Sequence, residues 1–248
     1  MKLLLPFALL VLAVSAIAEE SLRSEIANLK EKNRAKASPE KLAAYAEGIE
    51  AVRKAHVTET AKQVGDEVPD FTLPGAKGEP FTLYEALSKG PVVLTWYRGG
   101  WCPYCNLQLA AYQRILPRIE KLGARLVAVS PELPDKSLTT TERNGLQFTV
   151  LSDRNLKVAE SYGLVFKLTP EVERLYAEFF DMSEYNGEEA KRNELPLAAT
   201  YVIGTDRRIA WAFLESDYTL RAEPQDLLDA LKELAATPRQ RGSASVDK

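Results

Sequence analysis

The chain has 248 residues, 46% hydrophobic and 27% charged, a composition that excludes a disordered, collagenous or mucin-like protein. Thirty-two basic against 35 acidic residues give a net charge of -3, so there is no basic excess to neutralise a phosphate backbone, and a nucleic-acid partner is not expected. Two cysteines and one histidine, with the histidine far from the pair, cannot supply a four-ligand zinc site, so no metal is expected. In chain order, Lys2, the apolar run Leu3 to Val14 and Ala16-Ile17-Ala18 read as a signal peptide over residues 1–18, too short to span a bilayer. The expectation is an exported, periplasmic or secreted protein without stable membrane insertion. Residues 19–63 read as a helical extension, with Leu22, Ile26 and Leu29 on one stripe and Leu42, Tyr45, Ile49 and Val52 on another. Between them, Ser38-Pro39 is an N-cap followed by proline at the first helical position.

From Val64 the pattern alternates strand and helix, and residues 64–236 are expected to form one α/β domain, with a flexible polar tail at 237–248. Val92 to Tyr97 is apolar on both faces, as a central strand is. A helix with Leu109, Tyr112, Leu116 and Ile119 follows, and Pro117 is expected to kink or divide it. Arg125 to Ser130 and Phe148 to Leu151 are further strands; Asn155 to Tyr162 and Pro170 to Phe180 are helices. Thr200 to Ile203 and Ile209 to Leu214 make a hairpin, and a final helix opens near Pro224. Thr139-Thr140-Thr141 and Tyr185-Asn186-Gly187 read as loop or turn segments.

The chemistry concentrates in Trp101-Cys102-Pro103-Tyr104-Cys105, directly after the strand ending at Tyr97. Cysteines at the start of a helix sit at the positive end of its dipole, among unpaired N–H groups that favour thiolate. A second thiol one turn away can resolve the mixed disulfide or sulfenic acid formed on the first, so Cys102 and Cys105 are the candidate catalytic residues. Access assigns attack to Cys102 at the helix entrance and resolution to Cys105, with Arg98 adding charge nearby. The other readings are a structural disulfide, weakly stabilising across so short a loop at about 2 kcal/mol, and a metal half-site. His56 reads as a surface or packed residue, and Trp96, Trp101 and Trp211 as core. No phosphate-binding or dinucleotide motif is present, so no cofactor is expected.

Val64-Gly65-Asp66-Glu67-Val68-Pro69-Asp70-Phe71-Thr72-Leu73, Trp96 to Cys105, Val127-Ala128-Val129-Ser130-Pro131, Leu151-Ser152-Asp153 and Ala199 to Ile203 together resemble the thioredoxin superfamily, in particular its peroxiredoxin-like branch, alkyl hydroperoxide reductase/thiol-specific antioxidant. The resemblance implies a thioredoxin-like fold, a central mixed sheet with helices on both faces, carrying here an N-terminal helical extension. It also implies a thiol-dependent antioxidant oxidoreductase that reduces hydroperoxides through Cys102 and Cys105, regenerated by a thiol reductant. Two alternatives stand beside it: a periplasmic thiol-disulfide oxidoreductase acting on protein disulfides, and a non-enzymatic binding module with a fixed disulfide. The thioredoxin pattern makes Cys102 the attacking thiol. In the peroxiredoxin pattern Arg98 replaces a proline, Cys102 replaces a threonine and Cys105 takes the peroxidatic position. Ala198 falls where peroxiredoxins carry an arginine and thioredoxins a cis-proline, with Pro196 two residues earlier.

Overall fold

The computed structural model describes residues 21–188 and 193–236; the signal peptide expected over 1–18 and the tail expected over 237–248 lie outside them. In chain order the elements are α1 (Leu22–Arg34), α2 (Pro39–Lys54), α3 (Val57–Thr60), β1 (Thr72–Pro74), β2 (Pro80–Thr82), α4 (Leu83–Leu87), β3 (Val92–Trp96), α5 (Pro103–Lys121), β4 (Arg125–Ser130), α6 (Pro134–Arg143), β5 (Thr149–Ser152), α7 (Lys157–Ser161), β6 (Val165–Lys167), α8 (Pro170–Ala177), α9 (Met182–Asn186), β7 (Glu194–Pro196), β8 (Thr200–Ile203), β9 (Ile209–Phe213) and α10 (Pro224–Ala236). The central sheet has the order β5-β4-β3-β8-β9. Its β3–β4 and β4–β5 pairs are parallel, and β3–β8 and β8–β9 are antiparallel. The expected mixed sheet is therefore present, with β3 at its centre.

Strand periodicity divides the core between the two faces of this sheet. Leu94 and Trp96 of β3, Val127 and Val129 of β4 and Tyr201 of β8 point to one side, against α4, α7 and α8. Val93, Tyr97, Leu126, Ala128 and Val202 point to the other, against α5 and α10. The N-terminal helices straddle both sides: α1 buries Leu22 and Ile26 in the α5 layer, while Val52 of α2 and Val57 of α3 enter the α8 layer. Ser21 and Ser38 cap α1 and α2 by accepting from Ser24 N and Lys41 N. Leu22 is 1% exposed, so Leu22→Ala is expected to cost roughly 3 kcal/mol through lost burial and a residual cavity. Urea unfolding checks this, and a cost near zero would show that α1 does not share the domain's core.

Three local expectations are corrected. Helix α5 is one element through Pro117, so the proline does not divide it; it lies on the exposed face, where the carbonyl it leaves without an intrahelical donor can take one from water. Thr139, Thr140 and Thr141 belong to α6, not to a loop. Their hydroxyls are absorbed by the helix itself, with Thr139 donating to the Asp135 carbonyl (3.0 Å) and Thr141 to the Ser137 carbonyl (2.8 Å). Tyr185 and Asn186 close the short helix α9, whose N-cap Asp181 accepts from Ser183 N (2.9 Å), and Gly187 ends it at φ +90°.

Candidate active site

Strand β3 delivers the chain to the edge of the α5 layer, and the six residues after it build the site. Cys102 is the N-cap of α5, Pro103 occupies the first helical position, and Cys105 lies one turn inside. The Cys102 amide donates to the Gly99 carbonyl (3.0 Å), which closes the turn between strand and helix. The two cysteines are thiols with no disulfide between them. The expectation that the Cys102 sulfur is exposed is corrected: Cys102 is 1% exposed and Cys105 is fully buried. Trp101 covers the entrance, stacked on Phe180 at 4.7 Å between centroids and tilted against Tyr176 at 5.4 Å.

The electrostatics separate the two sulfurs. Cys105 Sγ takes Arg221 Nη2 at 3.3 Å and the backbone N–H of Arg98 at 3.5 Å. Cys102 Sγ has Arg98 Nη1 at 3.9 Å. Burial, the largest influence on Cys105, pushes its thiol up, but the hydrogen bond from Cys102, Arg221, Arg98 and the Arg98 amide together hold it well below the usual thiol range. For Cys102, burial pushes the thiol well above that range, and its hydrogen bond to Cys105 and the charge there act in the same direction. These influences favour negative charge on the inner cysteine and a neutral thiol on the outer one, the reverse of the order that access alone suggests.

Arg98 is itself buried, and its position is fixed by rings: its guanidinium lies 4.3 Å from the Tyr218 centroid, 5.0 Å from Trp101 and 5.4 Å from Tyr176, and it donates to the Tyr176 hydroxyl. Arg221 reaches the site from the loop between β9 and α10, anchored on the Tyr218 and Leu220 carbonyls. Nothing local marks Arg221 in the sequence, since it stands 116 residues from Cys105. Ala198 is buried without a charge to offer, and Pro196 pairs with Val165 in β7, so the cationic character of the site comes from Arg98 and Arg221.

Beneath the turn lies a buried carboxylate that sequence reasoning did not find. Glu132, just after β4, accepts from Gly100 N (2.8 Å), the Tyr97 hydroxyl (3.1 Å) and the Thr140 hydroxyl (3.4 Å). Burial raises its carboxyl above the ordinary value, opposed by the Gly100 and Tyr97 bonds. These donors tie the turn before Cys102 to β3 and α6. The fit is tight: a Cβ on Gly100 would stand 2.0 Å from Thr140 Oγ1. Gly100→Ala is therefore expected to cost about 1 to 3 kcal/mol by overpacking, with much of the loss recovered in the Gly100→Ala/Thr140→Ala pair. Additive losses in a thermal-unfolding double-mutant cycle would contradict the contact.

The remaining candidates take ordinary structural places. His56 is exposed and turns the chain into α3 at φ +54°, with Nδ1 2.8 Å from Glu59 Oε2. Trp96 is core and Trp211 is half-buried on β9. Among the described residues no group of His, Cys, Asp and Glu is placed to hold a metal ion, and no helix is long and apolar enough to cross a membrane.

The sequence profile of the AhpC/TSA family matches residues 64–212. A thiol-disulfide oxidoreductase ResA of Geobacillus thermodenitrificans is 31% identical over 106 residues, covering 42% of this chain and 60% of that protein. The chain thus matches less than two thirds of the length of this ResA relative. A putative peroxiredoxin of Mycobacterium tuberculosis is 27% identical over 174 residues, 68% of this chain and 96% of the relative. Among solved structures, the peroxidoxin BcpB from Mycobacterium tuberculosis superposes with a TM-score of 0.55 at 24% identity, covering 70% of this chain and 98% of that one. A PrxQ variant from Xylella fastidiosa gives 0.56 at 17% identity, with the same coverage. These structural likenesses establish the thioredoxin-like fold.

Proposed function

The chain belongs to the AhpC/TSA family, and on that premise we propose that it is a thiol-dependent antioxidant oxidoreductase that reduces hydroperoxides, with Cys105 as the attacking thiolate and Cys102 as the resolving thiol. The observation that carries this reading is the pair of donors on Cys105 Sγ, Arg221 Nη2 at 3.3 Å and the Arg98 amide at 3.5 Å, at a sulfur no folded protein can touch. A protein disulfide must meet its attacking sulfur at a surface, whereas hydrogen peroxide is the size of two water molecules and needs only a small opening beside Trp101. The thiolate attacks the terminal peroxide oxygen, the O–O bond breaks, and the departing alkoxide or hydroxide takes a proton, leaving a sulfenic acid on Cys105. Arg98 and Arg221 stand where negative charge develops on the oxygens. The Cys102 sulfur then attacks the sulfenic sulfur, water leaves, and a disulfide joins the pair. An external thiol reductant returns two electrons to restore both thiols.

Reduced protein mixed with either hydrogen peroxide or a folded protein disulfide tests this. The reading expects peroxide to oxidise the pair at least about tenfold faster at equal concentration, the difference being one of access. A faster reaction with the protein disulfide would assign the chain to disulfide exchange instead. Export belongs to the same proposal, supported by the leader-like residues 1–18. N-terminal sequencing of exported protein is expected to begin at Glu19, and a start at Met1 would contradict it.

A further inference from the structure

The chain leaves the central sheet at Tyr97, whose amide makes the last bond to β4, at the Val129 carbonyl (3.0 Å). The next amide, that of Arg98, donates to Cys105 Sγ (3.5 Å) and not to a strand. Gly99 and Gly100 follow, two residues with no side chain to restrict their backbone. Whether the Arg98 amide stays on the sulfur therefore depends on what grips this pair.

Gly100 is gripped at both of its polar atoms. Its N–H donates to Glu132 Oε1 (2.8 Å), and its carbonyl accepts from Asn106 Nδ2 (2.8 Å) and Arg143 Nη1 (3.5 Å). Asn106 is held in turn, its Oδ1 accepting from Asn144 Nδ2 (3.1 Å) at the C-terminal end of α6. Glu132 is the stronger anchor. It is fully buried, its bond from Gly100 is charge-assisted, and its Oε2 is fixed to β3 and α6 through the Tyr97 and Thr140 hydroxyls. Asn106 is half-buried and neutral.

We propose that Glu132 is a positioning residue for the thiol reaction: by fixing Gly100 it keeps the Arg98 amide on the Cys105 sulfur. The role rests on the reading of Cys105 as the attacking thiolate. It sets two influences of one side chain against each other. As a buried anion Glu132 disfavours charge on Cys105; burial raises its own carboxyl and the Cys105 charge acts in the same direction, which is the same repulsion seen from the other side. As the anchor of Gly100 it favours the thiolate, because the Arg98 amide donates to the charged form. The anchor prevails, since it works through a bond on the sulfur itself. The groups facing Glu132 are Tyr97, Thr140 and Cys105, and those facing Cys105 are Cys102, Arg98 and Arg221, all of which remain when Glu132 is replaced.

The test places Glu132→Gln, Glu132→Ala and Asn106→Ala in the Cys102→Ser protein, where Cys105 is the remaining thiol. The thiolate's ultraviolet absorbance across pH gives the Cys105 midpoint, and stopped-flow oxidation by hydrogen peroxide gives the rate. Glutamine keeps an oxygen for the Gly100 N–H and loses the charge, so its midpoint is expected at or below that of the parent. Alanine loses the anchor. Its midpoint is expected to rise by about one pH unit, which slows oxidation about tenfold on the acid side of the midpoint. Asn106→Ala, which opens the grip from the carbonyl side and removes no charge, is expected to raise the midpoint by about half a unit, roughly threefold in rate. With Glu132→Gln it keeps the question answerable if Glu132→Ala does not fold. A merely structural carboxylate would alter stability and leave every midpoint in place. An alanine midpoint that stays or falls, a glutamine midpoint that rises, or an unmoved Asn106→Ala midpoint would each overturn the proposal. Midpoints that shift as expected in proteins that peroxide does not oxidise would keep the positioning role and remove the peroxidase.

Discussion

Cys105→Ser is expected to lower the rate of hydroperoxide consumption roughly a thousandfold or more, as loss of a reacting nucleophile does in other enzymes. Serine nearly matches cysteine in size and keeps a hydrogen-bonding group opposite Arg221 and the Arg98 amide, so the fold should survive. What is lost is a group that ionises in water at all: the Arg221 donor, the Arg98 charge and the Arg98 amide, which hold a thiol well below its usual range, cannot do the same for an alcohol. Cys102→Ser has a different signature. Its Cys105 thiolate still meets Arg221 and the Arg98 amide, so the variant should consume one equivalent of peroxide and then stop. A Cys105→Ser protein that turns over at the wild-type rate would sink the assignment.

Arg221→Met is expected to produce the second large effect, read in the pH profile. A thiol whose folded value is depressed reacts at a pH-independent rate above that value and loses rate only as pH falls through it, because the thiolate is the reacting form. Wild-type oxidation should therefore be flat through neutrality and decline in acid. Removing a cation 3.3 Å from Cys105 Sγ should move the midpoint upward by about one to two pH units. At neutral pH the rate should then fall roughly tenfold for each unit by which the midpoint exceeds the working pH. Arg221 also holds the Tyr218 and Leu220 carbonyls. Arg221→Lys, which keeps the charge, should accordingly show a smaller shift, and equal shifts in the two variants would trace the effect to loop disorder. Stopped-flow measurement of single-turnover oxidation across pH distinguishes these outcomes.

The layered α/β plan was legible in the sequence because its central elements are long and strongly patterned. Val92 to Trp96 is buried at every position and is followed six residues later by the long helix α5, and the 200–213 hairpin brackets a polar Gly204 to Arg208 turn. The three-residue pairs β1–β2 and β6–β7 were not legible, since a strand that short carries no period and is fixed by its partner across the sheet. Threonine's preference for turns misled the reading of α6, where Pro134 starts a helix that the hydroxyls then join.

The cysteine pair and Arg98 were visible as a local motif, and their chemistry followed from helix-terminus physics. The order proposed for the two thiols did not, because it rests on Arg221 arriving from the far end of the chain and on aromatic cover from α8 and the following segment. Exposure was inferred from position on the helix alone. Tertiary packing buried Cys102 to 1% and so removed the premise that favoured it.

The most direct test of the account is to oxidise reduced Cys102→Ser with one equivalent of hydrogen peroxide, add a sulfenic-acid-specific trap, and locate the adduct by mass spectrometry. The account predicts a single adduct on Cys105. In Cys105→Ser treated in the same way it predicts Cys102 unmodified on that timescale, held as a neutral thiol by burial. An adduct on Cys102 of Cys105→Ser formed at the wild-type rate, with Cys105 of Cys102→Ser unreacted, would contradict it and restore Cys102 as the nucleophile.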